Sequence, residues 1–137
     1  MRYKQKDRKT VLLIDDDRNI YLSLKMIFAE NGHKIIHAPT CMTGLRKLQN
    51  GTKVDLIILD IVMPTMNGIS CLDVLKDTRN NVPVVILSAL DRAGSCSEAF
   101  KKGARDYITK PFDAKELREK INAILFSKPR RKRTNVK

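Results

Sequence analysis

The sequence has 137 residues, of which 42% are hydrophobic and 31% are charged, and this composition is typical of one soluble domain that folds without metals or disulfides. No run approaches the roughly 18 apolar residues of a membrane span. We therefore expect neither a membrane-spanning segment nor a membrane partner. The net charge of +12 lies mostly in two tails: residues 1–9 carry five basic residues and one acidic, and residues 128–137 carry six basic residues and none that is acidic.

The tails and the cysteines indicate the domain boundaries and the compartment. The first nine residues are basic but lack the apolar stretch of a secretory signal, so we expect a cytoplasmic protein. Three scattered cysteines without C-x-x-C spacing predict reduced, mostly structural thiols. We divide the chain into a basic N-terminal arm at 1–9, a folded domain at 10–127, and a basic tail or truncated linker at 128–137.

Five short β-branched runs alternate with amphipathic stretches along the folded domain. The first run is followed by three aspartates and then by apolar residues at helical spacing, including Ile20, Leu24 and Phe28. The predicted strands are Thr10–Ile14, Lys34–His37, Leu56–Leu59, Val84–Leu87 and Asp106–Ile108. Glycines after three of the helical stretches predict left-handed C-terminal caps, at Gly32, Gly51 and Gly103.

This alternation predicts an α/β fold, a (βα)5 doubly wound domain built on a five-stranded parallel sheet. The runs LIIL and VVIL are apolar at every position, as in strands that helices cover on both faces. For five strands, the flavodoxin-like order 2-1-3-4-5 fits best. A ligand site is then expected at the carboxyl ends of strands 1 and 3, where the order reverses. His33 and His37 flank strand 2, and we expect both to be structural or surface residues that lie away from this site.

Polar residues follow the predicted strands where that site is expected. In chain order they are Asp15, Asp16, Asp17, Asp60, Ser88 and Lys110. Clustered carboxylates repel one another unless a cation lies among them, and a few partly open oxygen ligands suit Mg²⁺ (or Mn²⁺). Asp17 has an alternative role as the N-cap of the next helix. A carboxylate nucleophile beside a divalent ion, with a lysine and a hydroxyl opposite, indicates phosphoryl transfer.

Four motifs in register resemble those of response-regulator receiver domains, over about residues 9–127. They are VLLIDDD, LIILDIVMPTMNG, VVILSA and GARDYITKPF. The resemblance implies that Asp15 and Asp16 hold the metal, that Asp60 is the phosphorylated residue, and that the backbone carbonyl of Val62 is a further metal ligand.

The same resemblance assigns the remaining site residues. It implies that Ser88 is the switch hydroxyl, that Tyr107 is the switch aromatic, and that Lys110 binds the phosphoryl group. It also implies a cis bond between Lys110 and Pro111, which proline permits. After phosphorylation, Ser88 and Lys110 move inward and Tyr107 fills the space that Ser88 leaves, which repacks the face formed by helix 4, strand 5 and helix 5.

The implied function is that of a phosphorylation switch in two-component signalling. The resemblance implies that a sensor histidine kinase or a histidine phosphotransfer protein donates the phosphoryl group. The switched face then controls a partner or an output domain outside this sequence. A DNA-binding output domain is compatible with the resemblance. A weak homodimer on phosphorylation is also compatible with the resemblance. Many DNA-binding members of the family pair through this face with charged residues, and Arg105 stands where those members frequently have an acidic residue. We expect no enzymatic activity beyond the protein's own phosphorylation and dephosphorylation.

Three other functions fit the sequence less well. A haloacid-dehalogenase-type phosphatase needs a second aspartate two residues after the nucleophile, where Val62 stands. A pseudo-receiver that only binds would lack an acidic residue or the lysine, and a dinucleotide-binding domain would carry glycines after strand 1. The tail KPRRKRTNVK has three interpretations: a solvated end, a linker to a missing output domain, or a contact with nucleic acid or a partner.

Overall fold

Short apolar strands alternate with amphipathic helices along the chain. The computed structural model describes residues 8–62, 68–78, 81–89 and 93–127. Within those residues, five strands and five helices follow one another. Their bounds are β1 Thr10–Ile14, α1 Arg18–Ile27, β2 Lys34–Ala38, α2 Cys41–Gln49, β3 Leu56–Leu59, α3 Gly68–Thr78, β4 Val84–Ser88, α4 Ala93–Lys101, β5 Asp106–Thr109 and α5 Ala114–Leu125.

The strands form one parallel sheet in the order β2-β1-β3-β4-β5, which confirms the predicted fold. Strands β3 and β4 are buried at every position, because both faces of the sheet are covered. Alternate residues of β1 supply the two core layers: Leu12 and Ile14 face one, and Val11 and Leu13 face the other. Ile14 lies opposite Leu59 of β3, so the residues that follow these two strands emerge side by side.

Three strands extend one residue beyond their predicted ends, to Ala38, Ser88 and Thr109. Two of the predictions stopped at the last large apolar residue and the third stopped at His37, whereas the backbone pairing continues: Ser88 lies opposite Thr109, and Ala38 lies opposite Ile14. The extension matters for the site, because it fixes Ser88 within the sheet.

The three predicted glycine caps adopt positive φ angles, but only two of them follow a helix closely. Gly51 (φ 86°) and Gly103 (φ 101°) lie just beyond α2 and α4, as predicted. Gly32 (φ 73°) is separated from the end of α1 by a series of turns. The prediction that Gly32 closes α1 is therefore wrong, because the helix already ends where the Phe28 N–H bonds to the Leu24 carbonyl.

The prediction of reduced thiols is wrong for two of the three cysteines. Cys41 and Cys71 form a disulfide, with their Cα atoms 6.0 Å apart. Cys41 begins α2 and Cys71 lies in α3, and both are buried in the same core layer. The packing of these two helices joins residues 30 positions apart, a proximity that sequence spacing does not reveal. Cys96 is a free cysteine.

The basic tails lie largely outside the described residues, which include only Arg8 and Lys9 of the N-terminal arm. Their roles, like the proposed boundaries at 9 and 128, stay predictions. In the part of the chain that the structure describes, no helix is both long enough and apolar enough to cross a membrane.

His33 joins three elements at the amino-terminal edge of the sheet. Its Nδ1 accepts the backbone N–H of Lys9 at 3.0 Å, so the proton is on Nε2, which donates to Asn122 Oδ1 of α5 at 3.2 Å. The ring also packs against those of Phe28 and Phe126. His33 is 7% exposed, in agreement with the structural role predicted for it.

Stability is expected to depend on pH through His33. Burial lowers the pKa of this imidazole below its ordinary value, an effect that the bond to Asn122 only partly opposes. The unfolded chain therefore binds the proton more readily, so this contribution to stability is complete above about pH 6.5 and is lost as the pH falls through the lower folded-state pKa. Urea unfolding across this range should show a slope that a His33→Gln variant lacks; an equal slope in the variant would contradict the assignment.

Candidate functional site

Two carboxylates meet at the carboxyl edge of the sheet. Asp15 follows β1 and Asp60 follows β3, and the N–H of Asp60 donates to the carbonyl of Ile14 at 2.9 Å. Asp15 is fully buried and Asp60 is 5% exposed. Buried ionised carboxylates need compensating partners, so the neighbours of these two residues define the site.

Asp15, Asp16 and Asp60 form a compact oxygen cluster. One carboxylate oxygen from each lies within 4.8 Å of the others, and Asp16 is exposed to solvent. This donor set, rich in charge and open on one side, fits a small hard cation that retains some of its waters. Backbone N–H groups orient two of the carboxylates: Asp17 donates to Asp15 Oδ1 and Val62 donates to Asp60 Oδ1, both at 2.9 Å.

Lys110 bridges the two buried carboxylates. Its Nζ lies 2.9 Å from Asp15 Oδ2 and 3.2 Å from Asp60 Oδ2. The residue follows β5, and its backbone N–H donates to the carbonyl of Ser88 at 2.9 Å. The Lys110–Pro111 bond is cis, as predicted. The lysine thus occupies the centre of the site rather than the solvated surface.

The charges in the site are strongly coupled. Burial raises the pKa of Asp15 above its ordinary value, and the hydrogen bond and charge of Lys110 offset only part of that effect. Burial alone would lower the pKa of Lys110, but the hydrogen bonds and charges of Asp15 and Asp60 outweigh it and hold that pKa above its ordinary value. The lysine is therefore a cation at neutral pH, and the Asp15 carboxyl is harder to ionise in the folded protein than an ordinary aspartate.

Ser88 and Tyr107 lie beside this centre on neighbouring strands. Ser88 ends β4 and is fully buried. Tyr107 is half-buried in β5, opposite Ile86, and packs against a core layer. Their predicted roles in a switch stay predictions. Val62 is 50% exposed at the mouth of the site, and its predicted role as a carbonyl ligand stays a prediction.

Two neighbours of the acidic cluster have additional roles. Asp17 accepts the N–H of Asn19 and caps α1, which is the alternative that its residue type allowed. His37 was predicted to lie away from this edge, and that prediction is wrong: its Nε2 is 2.7 Å from the backbone carbonyl of Asp15. Its place near the end of β2 was visible in the sequence, but the direction of its side chain was not.

Curated proteins and a family model match most of this chain. Residues 11–122 match the model of the response regulator receiver domain. The chain is 35% identical over 117 residues to the transcriptional regulatory protein PrrA of Mycobacterium leprae, which corresponds to 84% of this chain and 49% of PrrA. It therefore spans about half the length of that relative.

Solved structures resemble the fold over the same region. The receiver domain of the Francisella response regulator 1452 superposes with a TM-score of 0.77 at 39% identity, covering 86% of this chain and 97% of that domain. A chain of the CheX–CheY–BeF3–Mg complex of Borrelia burgdorferi matches with a TM-score of 0.79 at 30% identity. The match covers 85% of this chain and 88% of the matched chain.

Proposed function

This chain belongs to the family of response regulator receiver domains of two-component systems, and we propose that it is switched by phosphorylation of Asp60. The observation that carries the proposal is the convergence on Asp60 of two further carboxylates and of Lys110, whose Nζ bridges Asp15 and Asp60. A buried carboxylate supported by a cation site and an ammonium group is suited to accept a phosphoryl group.

Asp60 is the nucleophile in the proposed reaction. One of its carboxylate oxygens attacks the phosphorus of a phosphohistidine on a sensor kinase or a histidine phosphotransfer protein. The new O–P bond forms as the N–P bond breaks, and the released imidazole takes a proton from water. The bonds from Val62 N–H and Lys110 to Asp60 hold the carboxylate in place for this attack.

The charge of the transferred group is balanced by a cation site and by Lys110. The oxygens of Asp15, Asp16 and Asp60, with the carbonyl of Val62, would hold Mg²⁺, which supplies positive charge to the phosphoryl oxygens when bound. Lys110 already lies 3.2 Å from an Asp60 oxygen, so its ammonium group needs only a short movement to contact a phosphoryl oxygen on Asp60.

The proposed switch involves the buried hydroxyl and the half-buried ring beside this centre. A phosphoryl oxygen on Asp60 draws the hydroxyl of Ser88 inward, and Tyr107 turns into the space that it leaves. The surface of α4, β5 and α5 is repacked as a result. We propose no turnover activity beyond the protein's own phosphorylation and dephosphorylation, and we propose that it acts in the cytoplasm.

The output of the switch is proposed from relatives. PrrA is a transcriptional regulatory protein, and the matched region is about half of it, which supports control of a DNA-binding output domain. A weak homodimer on phosphorylation stays a prediction.

The proposal is tested by measuring the intact mass after incubation with a small phosphodonor and Mg²⁺. The natural protein should gain one phosphoryl group, and Asp60→Asn should gain none. Retention of the gain in the variant would overturn the proposal.

The phosphorylated form is expected to be long-lived, because two residues near the acceptor are apolar. Val62 lies two residues after Asp60 and Leu90 lies two residues after Ser88, although Leu90 falls outside the described residues. Neither side chain can orient a water toward phosphorus. Val62→Asn or Leu90→Asn should lose phosphate on the order of 10-fold faster, measured as decay of the phosphorylated mass. Equal or slower loss from the variants would contradict this interpretation.

A further inference from the structure

His37 binds the main chain of the acidic cluster. It lies in β2 opposite Leu13, and its Nε2 is 2.7 Å from the backbone carbonyl oxygen of Asp15. A carbonyl oxygen only accepts hydrogen bonds, so Nε2 carries the proton and donates it. A side chain from the edge strand of the sheet thus reaches the residue that leads into the site.

Two contacts from β2 hold the backbone of Asp15, one at its N–H and one at its carbonyl. The Asp15 N–H donates to the carbonyl of Ala38 at 3.1 Å, and the Asp15 carbonyl accepts from His37. That carbonyl belongs to the peptide bond between Asp15 and Asp16. Because a peptide unit is planar, fixing its oxygen also fixes the direction in which the chain enters Asp16.

The imidazole is itself held in position. The ring of Tyr21 on α1 stacks on it, with centroids 5.0 Å apart and planes 8° from parallel. Arg18 and Lys25, also on α1, each lie 6.0 Å from the Tyr21 ring. Stacking between rings at this spacing restrains the orientation of both. His37 is therefore oriented by α1 toward the Asp15 carbonyl.

We propose that His37 is a positioning residue for the divalent-cation site, which it orients through the Asp15–Asp16 peptide. This inference rests on the proposed function, since it assumes that Asp15, Asp16 and Asp60 hold the cation. Asp15 and Asp60 are fixed by burial and by Lys110, whereas Asp16 is exposed. The peptide held by His37 presets the exposed carboxylate, so less ordering is needed when the cation binds.

The test is calorimetric titration of the full chain with Mg²⁺ alone. His37→Phe retains a ring for Tyr21 but has no donor, and should weaken Mg²⁺ binding by about 3- to 10-fold. His37→Gln can still donate to the carbonyl and should keep the Mg²⁺ affinity of the natural protein. The ¹⁵N shift of the Asp16 amide should move in the Phe variant and return toward its natural value in the Gln variant.

His33→Phe is the matched control, because it replaces the other histidine, which lies at the amino-terminal edge of the sheet, away from the site. It should lower stability without changing Mg²⁺ affinity. If His37→Phe does not fold, Tyr21→Leu removes the stacking and should still weaken Mg²⁺ binding by about twofold. Unchanged affinity in whichever of these two variants folds would overturn the inference.

A second control separates this inference from the function that it assumes. Asp16→Asn should weaken Mg²⁺ binding in any case. If it does so while His37→Phe does not, only the role of His37 fails. If the natural protein binds no Mg²⁺, or Asp16→Asn leaves binding unchanged, the proposed cation site fails as well.

Discussion

Asp15→Asn is expected to remove function while making the protein more stable. Burial raises the pKa of the Asp15 carboxyl, so the folded state binds its proton more readily than the unfolded chain does. That contribution to stability is present below the ordinary aspartate pKa and is lost as the pH rises through the raised folded-state pKa. At neutral pH the ionised Asp15 therefore destabilises the folded state, and a neutral amide at this position should remove that destabilisation.

The functional loss in Asp15→Asn should be large. We expect Mg²⁺ affinity to fall by at least about 10-fold and the rate of phosphorylation on the order of 100-fold. Calorimetric titration, phosphorylation rates and urea unfolding at pH 7 without Mg²⁺ measure the three effects. Asp16→Asn is the matched control: Asp16 is exposed, so its variant should lose affinity without gaining stability. Natural affinity and natural rates in Asp15→Asn would contradict the account.

Lys110→Met is expected to destabilise the protein severely when no divalent cation is present. The lysine side chain is 18% exposed and bridges two carboxylates that are themselves buried. Its removal leaves their charges uncompensated, which costs on the order of 3 kcal/mol. Mg²⁺ should restore much of this stability, so the increase in melting temperature on adding Mg²⁺ should be larger than in the natural protein. Phosphorylation should slow by about 100-fold, because one cation near phosphorus is missing.

Lys102→Met provides the comparison for that variant. Lys102 pairs with Asp73 at 3.0 Å, but the Lys102 side chain is 32% exposed and that of Asp73 is 52% exposed. Exposed ion pairs contribute at most about 1 kcal/mol, so this variant should behave like the natural protein with and without Mg²⁺. Equal effects of the two substitutions would show that Lys110 has no special part in the site.

The sequence predicts most of the fold, because its strands are short, apolar runs that a regular pattern of helices separates. It also predicts that Asp15, Asp60 and Lys110 meet, since the carboxyl ends of parallel strands share one edge of the sheet. No side-chain contact was needed for that inference. The family motifs then supplied roles for residues whose types alone are ambiguous, such as Ser88 and Tyr107.

Contacts that depend on side-chain direction were not predictable in this way. His37 sits on an edge strand where periodicity does not specify which neighbour its ring reaches, and Cys41 meets Cys71 only because α2 and α3 pack together. Gly44 is a further example. A Cβ at this position would lie 2.7 Å from Cδ1 of Ile14, so the glycine lets α2 approach the strand that leads to Asp15.

The central claim is tested most directly by identifying chemically which residue carries the phosphoryl group. Borohydride reduces an acyl phosphate to an alcohol, so it converts a phosphorylated aspartate into homoserine. After phosphorylation with Mg²⁺ and reduction, peptide mapping should find homoserine at position 60 and aspartate at positions 15 and 16. Homoserine at either of those two positions, or unmodified Asp60 in protein that has gained a phosphoryl group, would contradict the account.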